Sequence, residues 1–145
     1  MENTITTVHQ WRQFNHDEME RFMQEHSHGR LGLCTADEPY VVPVAYRYSE
    51  GTVYFHTGKH GKKVDFINKN SKVCFEVDEW QKGWASVLSY GRITLRDDFE
   101  AKKKGFELLT GQNLLEDQIS KAPVYIGTIC VEEMTGRCSV DFQFR

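Results

Sequence analysis

The segment YFHTGKHGKK, residues 54–63, combines groups that could hold an anion. A β-prone apolar run ends at His56 and Thr57, two glycines follow, and Lys62 and Lys63 stand where a helix is predicted to begin. A helix N-terminus offers unpaired backbone N–H groups and the positive end of the helix dipole, and lysines add full charges. Phosphate is the natural ligand of such a place. A solvated lysine cluster on a surface helix would explain the same residues.

Two familiar phosphate motifs are excluded, because neither the P-loop spacing GxxxxGK[ST] nor a Rossmann fingerprint is present. His56 allows two interpretations. It could donate a proton to a substrate or hydrogen-bond a bound anion, since histidine changes its charge near neutral pH. It could equally be a histidine packed at a strand end with its ring satisfied.

Metal and disulfide chemistry find little support in the sequence. His26 and His28 form an HxH pattern without a third ligand at a usual spacing, so no metal site is predicted. The four cysteines form no CxxC pair and are expected to be reduced thiols. No signal peptide and no apolar run of membrane-spanning length is found, so we expect a cytoplasmic protein without a membrane partner.

The length of 145 residues predicts one domain, residues 1–145, in which an N-terminal helical segment at 1–28 packs on the rest. Within that segment, Asn15 and Glu18 are spaced as a capping box before a helix at 15–26. Further helices are predicted at 61–70, 98–110 and 114–121.

Strand patterns dominate the remainder of the chain. Apolar alternation predicts strands at 30–35, 40–48, 52–57, 72–78, 85–95, 124–132 and 138–144. Pro43 argues for a sheet edge, a bulge or a place where no backbone donor is needed, and Thr135-Gly136 is expected to separate the last two strands. Because the strands come in sequence-adjacent pairs, we predict a mainly β fold. It is an antiparallel barrel of about six strands with short peripheral helices, not a doubly wound parallel sheet.

The stretch GRLGLCTADEPYVVPVAYRYSEGTVYFHTGKHGKKVDFINKNSKVCFEVDE, together with the later ASVLSYGRI, resembles the FMN-binding split-barrel superfamily. Within that superfamily the chain looks like the nim-type (5-nitroimidazole resistance-like) flavoproteins, which are related to pyridoxamine 5'-phosphate oxidase. The likeness runs from about residue 29 to about residue 135. It implies a split β-barrel fold and FMN as the cofactor.

The resemblance also implies which residues contact the cofactor. Three of them would hold the FMN phosphate: Thr57, Lys62 and Lys63. Three more, in the second predicted strand, would run beside the isoalloxazine ring and contact it through their backbone: Val42, Pro43 and Val44.

Four further positions follow from the same resemblance. Ser86 would reach the flavin from a later strand, and His56 would lie near the ring as the catalytic residue. Trp84 would bind the cofactor as part of a pocket wall, although a core or interface position fits it as well. Met134 stands where many relatives place an aromatic residue, so the shape of one wall departs from the pattern.

Members of this superfamily usually form homodimers with FMN at the subunit interface, and the resemblance implies the same here. A flavin needs two apolar walls, and one small barrel exposes one. Val73, Phe75, Trp84 and nearby apolar residues are candidates for the interface, and a core position would explain them as well.

The sequence leads to three functional hypotheses. The first is an FMN-dependent oxidoreductase that passes electrons from a reduced donor to a small acceptor of the nitro-aromatic or quinone type. The second is a non-catalytic flavin or haem carrier, which leaves enzymatic activity open. The third, a regulatory or nucleic-acid-binding barrel, is disfavoured by the net charge of −3 and by the lack of a basic strand with interleaved aromatic residues.

Overall fold

The computed structural model describes residues 10–145, which form eight strands and four helices. The strands are β1 (Trp11–Gln13), β2 (His28–Thr35), β3 (Glu38–Ala45), β4 (Arg47–Ser49), β5 (Thr52–Gly58), β6 (Lys72–Glu79), β7 (Ala85–Arg96) and β8 (Val124–Ser139). The helices are α1 (His16–Glu25), α2 (Lys62–Lys69), α3 (Phe99–Thr110) and α4 (Glu116–Lys121). None of these helices is long and apolar enough to cross a membrane.

All strands join one antiparallel sheet in the order β3-β2-β6-β7-β8-β5-β4, and β1 pairs with the end of β8. The two ends of this order, β3 and β4, are separated in sequence only by Tyr46, which is fully buried. The sheet therefore curls back on itself into a barrel. Closure is incomplete, because the β4–β5 ladder has only three residue pairs and β2 is the only strand partner of β3 within residues 10–145.

Alternation along the strands separates the barrel interior from its outer face. On β6 the inward residues Val73, Phe75 and Val77 are buried, whereas their neighbours Cys74 and Glu76 are partly exposed. Val73 and Phe75 are 6% and 0% exposed within the described chain, so of the interface and core positions left open for them the structure gives the core. They belong to the core because they share the interior face of β6.

Helix α1 begins with the predicted capping box. The Asn15 side chain accepts a hydrogen bond from the Glu18 backbone N–H at 2.9 Å, and the Glu18 carboxylate accepts one from the Asn15 N–H at 3.0 Å. Phe22 and Met23 are fully buried on the face that meets the barrel. Residues 1–9 of the predicted N-terminal segment lie outside the described part, and the assignment of the whole chain to one domain stays a prediction.

The prediction of two late strands separated by a turn is wrong. One strand, β8, runs without interruption from Val124 to Ser139, and residues 140–145 contain no strand. Gly136 pairs with Val87 inside the β7–β8 ladder. A side chain at Gly136 would come within 2.9 Å of Met19 and 3.0 Å of Phe14, so this glycine serves close packing of α1. The predicted count of about six strands therefore becomes eight, with a continuous β8 and the short strands β1 and β4.

Candidate functional site

The start of α2 presents backbone donors without partners. The first intrahelical bond runs from the Asp65 N–H to the Gly61 carbonyl, so the N–H groups of Lys62, Lys63 and Val64 have no acceptor in the helix. No side chain caps this end. Gly61 has a φ of 118°, and a side chain there would meet nothing within 4 Å. The helix start is therefore open, with the geometry of an anion site.

Two lysine side chains accompany these donors. The Lys62 ammonium lies 3.1 Å from a carboxylate oxygen of Glu38 and 4.9 Å from the ring centre of Tyr40. Lys63 is partly buried, and the burial lowers the pKa of its ammonium below the usual value. Lys63 thus holds a charge in poorly solvated surroundings, where a bound dianion would compensate it.

Thr57 is the third predicted phosphate residue. It faces inward on β5 and is only 5% exposed. We call Thr57, Lys62, Lys63 and the N-terminal backbone of α2 the lysine cradle. The structure joins its members through the short connection between β5 and α2.

The predicted ring-binding residues lie next to this cradle. Val42, Pro43 and Val44 belong to β3, whose second edge has no strand partner in the described chain. Pro43 lacks a backbone donor, so its place on an edge strand confirms one of the three predicted roles of this proline. Lys62 contacts Tyr40 at the beginning of β3, and Val44 lies four residues further on, about 13 Å along the strand. The cradle and the free edge of β3 therefore form one continuous strip.

His56 belongs to a different place. Its side chain points to the outer face of β5, where α3 covers the barrel. The His56 ring lies 6.4 Å from the ring of Phe106. A cavity of about 250 Å³ opens beside it, lined by Ser27, His28, Ala45, Arg47, His56, Phe106, Leu109 and Thr110. We call this the His56 cavity. The β4–β5 register places Arg47 opposite Tyr54, which brings Ala45 next to His56 at the end of the β3 strip.

Ser86 and Trp84 do not meet the other predicted residues within one chain. Ser86 points outward from β7, three strands away from β3 and therefore about 14 Å across the sheet. It lines a separate cavity of about 700 Å³ together with Met134. Trp84 is half-buried before β7, with its ring 6.1 Å from that of Trp80.

Several residues of these sites were missed by the sequence analysis. Arg47 and His28 line the His56 cavity, and Phe106 and Leu109 form its apolar wall. Arg47 faces outward in the predicted strand that also contains Val44. The alternation of side chains along that strand was the signal that could have identified it. His26 is not a ligand, because its ring contacts the Phe22 carbonyl at 2.7 Å and Glu79 at 3.2 Å.

Sequence comparisons link the chain to known proteins. The profile of a family described as pyridoxamine 5'-phosphate oxidase matches residues 15–137. An uncharacterized protein of Rhizobium meliloti (strain 1021) is 30% identical, with 76% of this chain and 83% of the relative covered.

Two solved structures share the fold. A proposed 5-nitroimidazole antibiotic resistance protein of Bacteroides thetaiotaomicron superposes with a TM-score of 0.79 at 19% identity, over 89% of this chain and 87% of that one. A FAD-binding protein of Mesorhizobium loti superposes with a TM-score of 0.74 at 27% identity, over 88% of this chain and 97% of that one.

Proposed function

The chain belongs to the pyridoxamine 5'-phosphate oxidase family and has its split-barrel fold, and on that premise we propose that it binds a flavin and transfers electrons between small molecules. The family and the fold class predicted from the sequence are thereby confirmed. The relative from Mesorhizobium loti is a FAD-binding protein, which supports a flavin as the class of cofactor.

The lysine cradle is the observation that carries the proposal. Its backbone N–H groups, its two ammonium groups and the Thr57 hydroxyl suit a terminal phosphate, which accepts several charge-assisted hydrogen bonds. FMN has such a phosphate at its end, and we propose FMN as the cofactor. Lys62 would exchange its contact with Glu38 for the phosphate, because a dianion attracts an ammonium more strongly than one exposed carboxylate does.

The free edge of β3 suits the ring system. With the phosphate at the start of α2, the unpaired backbone groups between Val42 and Val44 lie where the isoalloxazine would extend. The ring would then end near Ala45, beside the His56 cavity. A bound flavin would supply the hydride and electron-transfer chemistry, and the protein would supply binding and position.

His56 has the position for proton transfer to a substrate. Its ring is exposed and lines the cavity, with the ring of Phe106 6.4 Å away. We propose that His56 donates a proton to a small acceptor of the nitro-aromatic or quinone type as that acceptor is reduced. We also place the protein in the cytoplasm, where its four free thiols would stay reduced.

We further propose a homodimer that shares the flavin. Pro43, Arg30, Glu76 and Leu88 lie on one row across the outer face, because each is paired with the next in the ladders from β3 to β7. Val41, on the neighbouring row, is 65% exposed. A second chain packed on this face would cover Val41. It could also bring its own Ser86 or Trp84 to a ring that rests on β3, which one chain alone cannot do.

Titration of flavin-free protein with FMN, FAD and riboflavin tests the cofactor. We expect FMN to bind at least about a hundredfold more tightly than riboflavin, because riboflavin lacks the phosphate. Equal affinity for FMN and riboflavin would overturn the role of the cradle, and equal affinity for FMN and FAD would overturn the choice of FMN. A haem Soret band in purified protein, in place of flavin absorption, would favour the carrier alternative. A monomeric mass in light scattering at full FMN occupancy would contradict the shared site.

A further inference from the structure

The His56 cavity contains a guanidinium whose charge nothing in the described chain neutralises, with two further basic side chains beside it. Arg47, His28 and His56 line it, and no aspartate or glutamate does. None of these three side chains forms a salt bridge within residues 10–145. By contrast, six other arginines pair with carboxylates: Arg12, Arg21, Arg30, Arg92, Arg96 and Arg145.

Hydrogen bonds hold two of these basic side chains, those of Arg47 and His28, in place. One terminal nitrogen of Arg47 donates to the Tyr46 carbonyl at 2.9 Å, which leaves its other N–H donors available. The Nδ1 atom of His28 hydrogen-bonds the Ser27 hydroxyl at 3.0 Å. Arg47 begins β4 and His28 begins β2, so both side chains stand on rigid elements of the barrel.

Beside these basic groups and the hydroxyl residues Ser27 and Thr110, the lining of the cavity is apolar. Phe106 and Leu109 of α3 form one wall, and Ala45 adds a methyl group opposite. The volume of about 250 Å³ is below the roughly 300–1,000 Å³ typical of pockets for drug-sized ligands. A guanidinium with free donors matches a carboxylate, whereas the apolar wall matches a hydrocarbon or aromatic body.

We propose that this cavity binds a small organic carboxylate with an apolar body, held by Arg47 and His28 beside His56. The inference rests on the proposed function for the role of His56, because it names the substrate class of that same site. The preferred acceptor of the protein is then an anion, and Arg47 is the residue that selects it.

Benzoate and benzyl alcohol are suitable probes, because they share the aromatic body and differ in charge. We would measure their dissociation constants by NMR chemical-shift titration of the purified protein, both with its flavin and after its removal. Benzoate is expected to bind at least about tenfold more tightly than benzyl alcohol. Arg47→Gln should remove that preference, and Arg47→Lys should retain part of it. Lys103→Gln, an exposed charge on the outside of α3, should leave it unchanged.

The outcomes separate the two proposals. A benzoate preference that depends on Arg47 in protein that takes up no flavin would support this inference and refute the proposed cofactor. Equal affinity for the two probes in the unmodified protein would overturn the inference, and so would the absence of any binding up to millimolar concentration. Normal flavin uptake in the same samples would then leave the proposed function standing. The first comparison needs no variant, so a folding defect in Arg47→Gln cannot mask the result.

Discussion

His56 and Thr57 are consecutive residues of β5, yet they serve two different places in the molecule. Thr57 is 5% exposed and faces the barrel interior at the lysine cradle, whereas His56 faces outward into the His56 cavity under α3. Alternation along a strand sends adjacent side chains to opposite faces. One short strand therefore supplies a residue for holding a cofactor and a residue for chemistry, and the two roles can be separated by single substitutions.

The two places also differ in their physical character. The lysine cradle is open, with unpaired N–H groups and two ammonium groups at a helix start. The His56 cavity has a volume of about 250 Å³ and an aromatic and aliphatic wall. Binding a phosphate needs charge and donors at an accessible edge, whereas proton transfer needs an acid–base group within hydrogen-bond reach of the substrate. The contrast predicts that damage to one place leaves the function of the other intact.

The largest effect is expected from removing both cradle charges. Lys62→Ala combined with Lys63→Ala should weaken FMN binding by about two to four decades, because each charge-assisted hydrogen bond contributes roughly 1.5–3 kcal/mol. Fluorescence titration would measure the affinity. Riboflavin affinity should not change, and Lys103→Ala serves as the control for net charge. If the double variant bound FMN as the parent does, the cradle would not be the phosphate site.

His56→Ala should give the opposite pattern. We expect acceptor turnover to fall about a hundredfold, since a positioned acid–base group typically contributes that much or more. FMN affinity and reduction of the flavin by dithionite should stay as in the parent. Steady-state turnover across pH, with FMN titration of the same sample, would measure both. Wild-type turnover combined with a lower melting temperature would make His56 a packing residue.

Gly105→Leu perturbs the α3 wall of the His56 cavity on the side of α3 that packs against the barrel. A side chain at Gly105 would come within 2.8–2.9 Å of three atoms of the buried Ile126, so α3 must move away from the barrel. Such overpacking costs about 1–3 kcal/mol in the free energy of unfolding. Urea denaturation would measure that loss, and turnover should fall while FMN affinity stays within about twofold. A matching fall in FMN affinity would show that the two places are coupled.

The smallest effect is expected from Lys63→Met in flavin-free protein. Burial lowers the pKa of Lys63, so its protonated form is disfavoured in the folded state. That cost is present below the lowered pKa and is relieved as the pH rises through it. The variant should therefore be slightly more stable than the parent at pH 7, and the difference should shrink in alkaline buffer. Melting temperatures at both pH values would show it, with exposed Lys103→Met as the matched control. A less stable variant at pH 7 would contradict it.

Much of the fold could be predicted because local patterns agreed with the final environment. The capping box at Asn15 and Glu18, the alternation in β6 and the glycine that ends α3 each depend on neighbours in sequence. Long-range packing caused the errors. Gly136 is a residue typical of turns, but it lies within β8, three residues before the strand ends, because α1 approaches there too closely for a side chain. The residues near Gly136 in sequence do not indicate that α1 packs so closely against it.

Lys102 shows the same limit on the surface of the barrel. A lysine on a helix is normally predicted to be solvated. Lys102 is only 5% exposed, and its ammonium donates to the Ala122 carbonyl at 2.9 Å near the end of α4. The carbonyl groups at the C-terminal end of a helix bind a cation well. Whether those of α4 lie next to α3 depends on the path of the chain between the two helices.

The sequence by itself determined the antiparallel barrel, the start of α2 and the resemblance that pointed to a flavin. Each of these depends on residues that are close in sequence or on a series of motifs in order. Alternation along β5 already sends His56 and Thr57 to opposite faces, and only the tertiary structure decided what lies on each face. It also decided that Arg47 and His28 join His56, and that Ser86 lies about 14 Å from β3 in the same chain. The reason is physical, because strand order and the placement of α3 bring together side chains that are far apart in sequence.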